Sequence, residues 1–427
     1  MTRSERYGRV LGWGLVPLIA VMQFANLRNS VVQARNDLVS VDLVLYGAIT
    51  LLCLPWTLRA FGELSRAGRW TLGVFAALAG YGLVTSFFGE VPTVLGVPVH
   101  WSYQVMPVVI AILSATTALS LVAAMPPRHR RAQLWWSAQV LIVTCYASWP
   151  PRFTASREYR LASGIGGAAV LYAALLLALA LLVVEALRGY RRWASVLGAL
   201  AAGVGILLTG SRAAFLCVGL FVVVAAAAQL RGRQMPRPLW IAAGAGAVGV
   251  IAFVALTPMG QRLLVLQDQL RADNLATSWR AWSESWEILL LGQGLGQVWP
   301  WYPFEAGYFV LMPKTIWTRW GESMPHPHST YLLVAVELGM VGLALLALMV
   351  GAVWWSVWRL RGQRAACIVT AAVAASTFGW LFDTYLFRNF PLAIWWWVVL
   401  VSVVGFRSLD EPTTEEEPQP SAASAAS

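Results

Sequence analysis

The sequence predicts an all-α polytopic membrane protein, and three observations predict it. The chain is 58% hydrophobic and only 12% charged, where soluble domains carry roughly 25% charged residues. Its apolar residues gather into about twelve runs bounded by charge or turn residues, each near the roughly 20 residues needed to cross a bilayer. Its basic residues alternate from one side of these runs to the other with a clear excess on one side. The net charge of +11 therefore reads as cytoplasmic loops holding orientation rather than as a nucleic-acid surface. The four cysteines, Cys53, Cys145, Cys217 and Cys367, all fall inside apolar runs and lack zinc or disulfide spacing.

In chain order the expected spans are 9–27, 38–58, 70–88, 104–124, 133–149, 163–187, 193–210, 213–230, 239–257, 329–357, 365–386 and 390–406. The first has a basic start but exceeds a signal-peptide core and precedes no A-x-A site, so it reads as an uncleaved span. With these spans, 19 of the 31 Lys and Arg residues fall on one side and 12 on the other. Five of those 12 lie in one long loop, where charge has little topological weight. Both termini are expected in the cytoplasm. Four parts follow: spans one to nine (1–257), a large extracytoplasmic loop (258–328), spans ten to twelve (329–407) and a Pro-, Glu- and Ser-rich tail (408–427) expected to be disordered. A loop of that length is expected to carry function. Two amphipathic helices are predicted in it. One lies in QRLLVLQDQLR, and the other has the stripe Leu275, Trp279, Trp282, Trp286 and Leu289 with Thr277 or Ser278 as N-cap. A Trp-striped helix suits the bilayer interface.

The candidate chemistry centres on His326-Pro327-His328-Ser329-Thr330-Tyr331, where the loop meets the tenth span. An imidazole there titrates near neutrality at a membrane surface. Arg212, in the turn Thr209-Gly210-Ser211-Arg212, and Arg280, on the loop helix, fall on the same face. Two arginines can grip the oxygens of a diphosphate, and Ser211 with the helix start behind it adds donors. Singly, each has an ordinary explanation: a hairpin charge for Arg212, an i,i+4 pair with Glu284 for Arg280, a helix-start hydrogen bond for His328. A competing reading makes His326, His328 and His100 metal ligands. Gly292-Gln293-Gly294-Leu295-Gly296 lacks the ending of a Walker motif and is expected to turn the chain after the Trp helix. Glu337, nine residues past His328, falls on the opposite helix face and is expected to bond between helices. Trp299, Trp301 and Tyr302 suit either sugar stacking or an aromatic belt. Arg152, Arg157 and Arg160 form an outward basic cluster.

The spans, the Thr209-Gly210-Ser211-Arg212 turn, the Arg on a Trp-bearing loop helix, the Gly-x-Gly turn, His328-Ser329-x-Tyr331-Leu332 and Glu337-Leu338-Gly339 with Gly342 together resemble the bacterial O-antigen ligases. That wider family includes O-antigen polymerases and protein O-oligosaccharyltransferases. The resemblance covers about 207–342 and departs in having Leu290 where relatives often have Pro. It implies the architecture of C-type glycosyltransferases. It implies a glycan donor on undecaprenyl diphosphate and a lipid A-core acceptor, joined at the periplasmic face with inversion and with neither metal nor cofactor. His328 would then be the general base and Arg212 and Arg280 the diphosphate ligands. His326, Ser211, Arg388, Arg152, Arg157, Arg160 and Tyr331 are auxiliary candidates. A transporter of lipid-linked glycan is the reading from another class, but it expects charge and broken helices near the midplane, whereas the polar groups here gather at one face.

Overall fold

The computed structural model describes residues 3–23, 41–88, 93–94, 97–98, 101–148, 160–229, 269–299 and 315–409. The helices are α1 (Arg3–Trp13), α2 (Leu15–Gln23), α3 (Val41–Leu52), α4 (Leu54–Glu63), α5 (Arg66–Phe88), α6 (Trp101–Ala124), α7 (Pro127–Ala147), α8 (Leu171–Leu187), α9 (Arg192–Leu208), α10 (Arg212–Gln229), α11 (Gln269–Trp282), α12 (Trp286–Leu291), α13 (Thr330–Arg359), α14 (Arg364–Phe378) and α15 (Phe390–Leu400). Two antiparallel two-stranded ribbons join them: β1 (Thr93–Val94) with β2 (Val97–Pro98), and β3 (Ile316–Thr318) with β4 (Gly321–Ser323). The protein is an all-α polytopic membrane protein. Five described helices are long and apolar enough to cross a membrane, and the pair α3–α4, bent by 67°, makes a sixth. Eleven of the twelve expected spans fall on described helices; the run 239–257 lies outside the described residues.

The core is built by helices apolar on every side. Leu171 to Leu182 in α8, Ala371 to Ala375 in α14 and Leu392 to Val399 in α15 are almost wholly buried, as a helix without a polar face must be when surrounded by others. Two of the buried tryptophans bond across the bundle: Trp395 donates to the carbonyl of Ala174 at 3.1 Å, and Trp396 to the hydroxyl of Ser376 at 2.9 Å. Outer helices instead expose Leu197, Leu200, Val223, Leu348 and Trp355, apolar surface suited to lipid.

The bundle has two chemically different ends. At one, Arg130 donates to the carbonyls of Val122 and Met125, lies 3.7 Å from Glu63 and stacks on Phe406. Arg131 grips both carboxylate oxygens of Glu185, and Arg191 lies over Trp135 and Trp136. The loops that the arginine excess assigns to one side thus meet in space. The candidate site lies at the other end.

Candidate functional site

Ser329 caps α13: its extended backbone points the side-chain oxygen at the Leu332 N–H, 3.2 Å away. Its hydroxyl donates to the carbonyl of Trp380, and Tyr331 donates to the carbonyl of Thr377, so the helix start is bound to the end of α14 and the turn after it. His328 precedes the cap with a left-handed backbone, φ 54°, a conformation costing about 1 kcal/mol for a non-glycine residue. It brings the two imidazoles together, ring centroids 3.6 Å apart and planes tilted by 55°. Nδ1 of each ring is buried without a hydrogen-bond partner among the described residues. Burial first, then the charges of Arg271 and Arg388, holds His328 down to about 3. Burial, then Arg388, His328 and Arg271, keeps His326 further below the ordinary histidine range. Both rings are neutral at physiological pH.

The wall beside them is α11. It begins by Gln269, so Thr277 and Ser278 lie inside it and do not cap a helix; the cap is Ser285, which starts α12 after a break. The buried side of α11 is polar. Asn274 donates to the Pro327 carbonyl at 3.1 Å and accepts from the Ser323 hydroxyl at 2.7 Å and the Met324 N–H at 3.3 Å. Thr277 donates to the Glu322 carbonyl. These bonds latch α11 to the β3–β4 ribbon and to the Pro between the histidines. Leu275, Trp279 and Trp286 face outward and exposed, which keeps the Trp stripe available to an interface.

The i,i+4 pair expected of Arg280 and Glu284 does not form, because the helix breaks between them. Glu284 accepts from Gln293 at 2.9 Å, Trp320 at 2.9 Å and Arg319 at 3.0 Å. Burial raises its pKa, but these donors and the Arg319 charge outweigh it and leave the carboxyl below its ordinary value. Arg280 instead spends one N–H on the Trp320 carbonyl at 2.7 Å. The rest of its exposed guanidinium has no partner among the described residues.

Glu337 also departs from expectation. Its buried carboxylate accepts from the N–H groups of Gly296, Val298 and Trp299, at 2.9, 3.1 and 3.0 Å, and so holds a loop rather than a helix. Gly339 breaks α13 with φ 62°. The carbonyls of Val336 and Glu337 that the break frees are taken by the N–H groups of Gln293 and Gly294. Gly292 and Gly339 come so close that a Cβ on Gly339 would lie 2.5 Å from the Gly292 nitrogen. Glu337-Leu338-Gly339 and the Gly-x-Gly turn are thus two halves of one joint. Trp299 is buried there, donating to Ser323; Trp301 and Tyr302 lie outside the described residues.

The turn at 209–212 is held by Gly210 at φ 55° and by Arg160, whose Nε donates to the Thr209 carbonyl at 2.7 Å. Ser211 donates to the Ala169 carbonyl. Arg212 opens α10 exposed and without a partner among the described residues. One packing chain leads from α10 toward the histidines: Cys217 hydrogen-bonds Tyr172, both lie against Gly379, and Trp380 follows, its carbonyl bonded to Ser329. The structure therefore sets His326, His328, Arg271 and Arg388 together. Neither Arg212 nor Arg280 is among the charges acting on either imidazole. Arg152, Arg157 and His100 lie outside the described residues.

Sequence reasoning missed Arg271, Asn274 and the Glu284 cluster. Arg271 stands nine residues before Arg280, which puts the two on opposite faces and about 13 Å apart along the helix; periodicity therefore links Arg271 to nothing in the Trp stripe.

Fold and site define a membrane-embedded protein with a cluster of two histidines and two arginines where the loop meets α13. Residues 197–347 match the family described as O-antigen ligase, and the match supports glycosyl transfer of the O-antigen ligase and polymerase type. It takes in Arg212, Arg271, Arg280, the histidine pair and the Glu337 joint, and stops short of Arg388. No curated protein matches the chain.

Proposed function

We propose that the protein is an O-antigen ligase, moving a glycan from undecaprenyl diphosphate to lipid A-core at the periplasmic face of a bacterial inner membrane, with both termini cytoplasmic. The observation that carries this reading is the half-buried imidazole of His328 at the mouth of α13, set against His326 directly before the Ser329 cap, within the stretch that matches the ligase family. A neutral ring accepts a proton; a charged one cannot. His328 takes the proton from the acceptor hydroxyl, a step worth typically 10²- to 10⁴-fold.

Arg212 and Arg280 hold the diphosphate and neutralise the charge that develops as the glycosyl bond breaks. Their guanidinium donors have capacity to spare. Inversion requires the base and the leaving group on opposite sides of the sugar carbon, so diphosphate ligands that do not touch the imidazole suit the reaction. Arg271 and Arg388 serve differently, adding to burial in keeping the histidine pair unprotonated. His326 and Tyr331 position the ring and the helix start, while Arg160 and Ser211 shape the Arg212 turn. Transfer to a second lipid-linked glycan, as in a polymerase, uses the same donor and the same groups.

The test is genetic complementation in a deletion host, with membrane levels checked. Wild type restores the long-chain ladder on lipid A-core, while His328→Ala, Arg212→Ala and Arg280→Ala leave undecaprenyl-linked polymer unconsumed. A deletion that leaves core bearing a single repeat makes the protein a polymerase. A full ladder from all three variants removes the assigned site.

A further inference from the structure

The chain from Trp320 to Pro327 runs along α11 and is pinned to it at intervals. Arg280 donates to the carbonyl of Trp320 at 2.7 Å, Thr277 to that of Glu322, and Asn274 to that of Pro327 at 3.1 Å. Donors taken backwards along the helix meet carbonyls taken forwards along the loop, so the two segments are antiparallel. Helix α11 therefore acts as a ruler. From Asn274 to Arg280 it rises about 9 Å, and this length sets how far the His326-Pro327-His328 end lies from the Arg280 end. Asn274 is the mark nearest the histidines, and it is buried. Its amide has one possible orientation. The Met324 N–H can only donate and the Pro327 carbonyl can only accept, so the oxygen faces the first and the nitrogen the second. The same oxygen takes the Ser323 hydroxyl at 2.7 Å, and Ser323 in turn accepts from Trp299, whose backbone N–H is held by Glu337.

What Asn274 holds is a strained backbone. His328 sits at φ 54°, and a non-glycine residue stays in that region only where its surroundings over-determine it. On one side Ser329 is fixed by Leu332 and Trp380. On the other the Pro327 carbonyl is fixed by Asn274. Without that bond the peptide between Pro327 and His328 is free to turn, His328 returns to negative φ, and its ring leaves the place it holds 3.6 Å from that of His326. We propose that Asn274 is a positioning residue for the base: through the Pro327 carbonyl it holds the His328 ring at a fixed reach from Arg280. This role rests on His328 being the base and Arg280 a diphosphate ligand.

Two readouts on the full chain in proteoliposomes test this. One is transfer from undecaprenyl-diphosphate-linked glycan to lipid A-core; the other is labelling of the histidines by diethyl pyrocarbonate, located by peptide mass spectrometry. Asn274→Asp keeps the size of the side chain and the acceptor for Ser323 and Met324, and loses only the donor to Pro327. Asn274→Ala loses both, and Asn274→Asp decides if it does not fold. A misplacement of about 1 Å costs on the order of 10²-fold, so each variant lowers kcat by about that factor. The KM for the donor is unchanged, because Arg280 keeps Trp320, and His328 labels faster than in the wild type. On a His328→Ala background Asn274→Asp costs nothing further. Thr277→Val removes the neighbouring rung without touching Pro327 and lowers kcat far less, which controls for a loosened helix. Wild-type kcat in Asn274→Asp, a loss confined to KM, an equal loss in Thr277→Val, or a loss that multiplies with that of His328→Ala overturns the proposal. Full transfer by His328→Ala overturns the base assignment itself, and the labelling alone then decides whether Asn274 holds the ring: faster labelling sustains the hold, an unchanged rate overturns it.

Discussion

The two ends of the bundle use the same residue type in opposite ways. At the arginine-rich end three guanidinium groups are engaged: Arg131 in a bidentate pair with Glu185 at 2.7 Å, Arg130 on two carbonyls and an aromatic ring, Arg191 over two tryptophans. At the other end Arg212 has no partner among the described residues, Arg280 spends one N–H, and two buried imidazole nitrogens accept or donate nothing. An arginine that is fully paired holds a fold together. One that is not keeps its hydrogen-bonding capacity for something that arrives.

Four sets of measurements would break or sharpen that contrast. The largest effect is expected from His328→Ala, with transfer falling 10²- to 10⁴-fold, and from Arg212→Ala and Arg280→Ala, with losses on the order of 10²-fold. Thermal unfolding should move by less than about 0.5 kcal/mol for the exposed arginines. A large fall in melting temperature for Arg212→Ala would mean that this end is structural too. Next comes Arg131→Ala, which strands the buried Glu185 carboxylate and should cost about 3 kcal/mol, read as a loss of folded protein in detergent without a specific defect in the folded fraction. Glu337→Gln should cost about 2 kcal/mol, because the amide cannot accept all three N–H groups, and hydrogen exchange should speed up across 294–299 while α14 stays protected.

A further contrast concerns pH. His326 and His328 titrate lower in the folded chain than unfolded, so between about pH 3 and the unfolded value near 6.5 the unfolded state binds more protons. Stability should fall on acidification through that window, and His326→Asn combined with His328→Asn should flatten the slope. An unchanged slope would place the pair in contact with water.

The spans were legible because lipid imposes length and composition, and the start of α13 was legible because Ser329 is a capping residue in front of an apolar run. The partners were not. The Trp stripe reads as a helix starting near Leu275, yet α11 is set by its buried polar side, where Asn274 reaches a segment about fifty residues away. Glu337 points away from His328 by helical arithmetic, which is right, but nothing local says that the carbonyls freed at Gly339 will be claimed by a loop from before the helix. Trp299 looks like any interfacial tryptophan until Ser323 and Glu337 bury it. Each miss concerns a contact between distant residues, whereas periodicity and capping report only on neighbours.

The break at Gly339 divides α13 into two rods. Thr330 to Leu338 is fixed by the Gln293–Gly296 loop, by Trp380 and by Thr377, and the rest of α13 starts afresh beyond Gly339. Bilayers of different thickness tilt long helices. The short rod that carries the imidazole pair is anchored by its own bonds, independently of the long one that crosses the lipid.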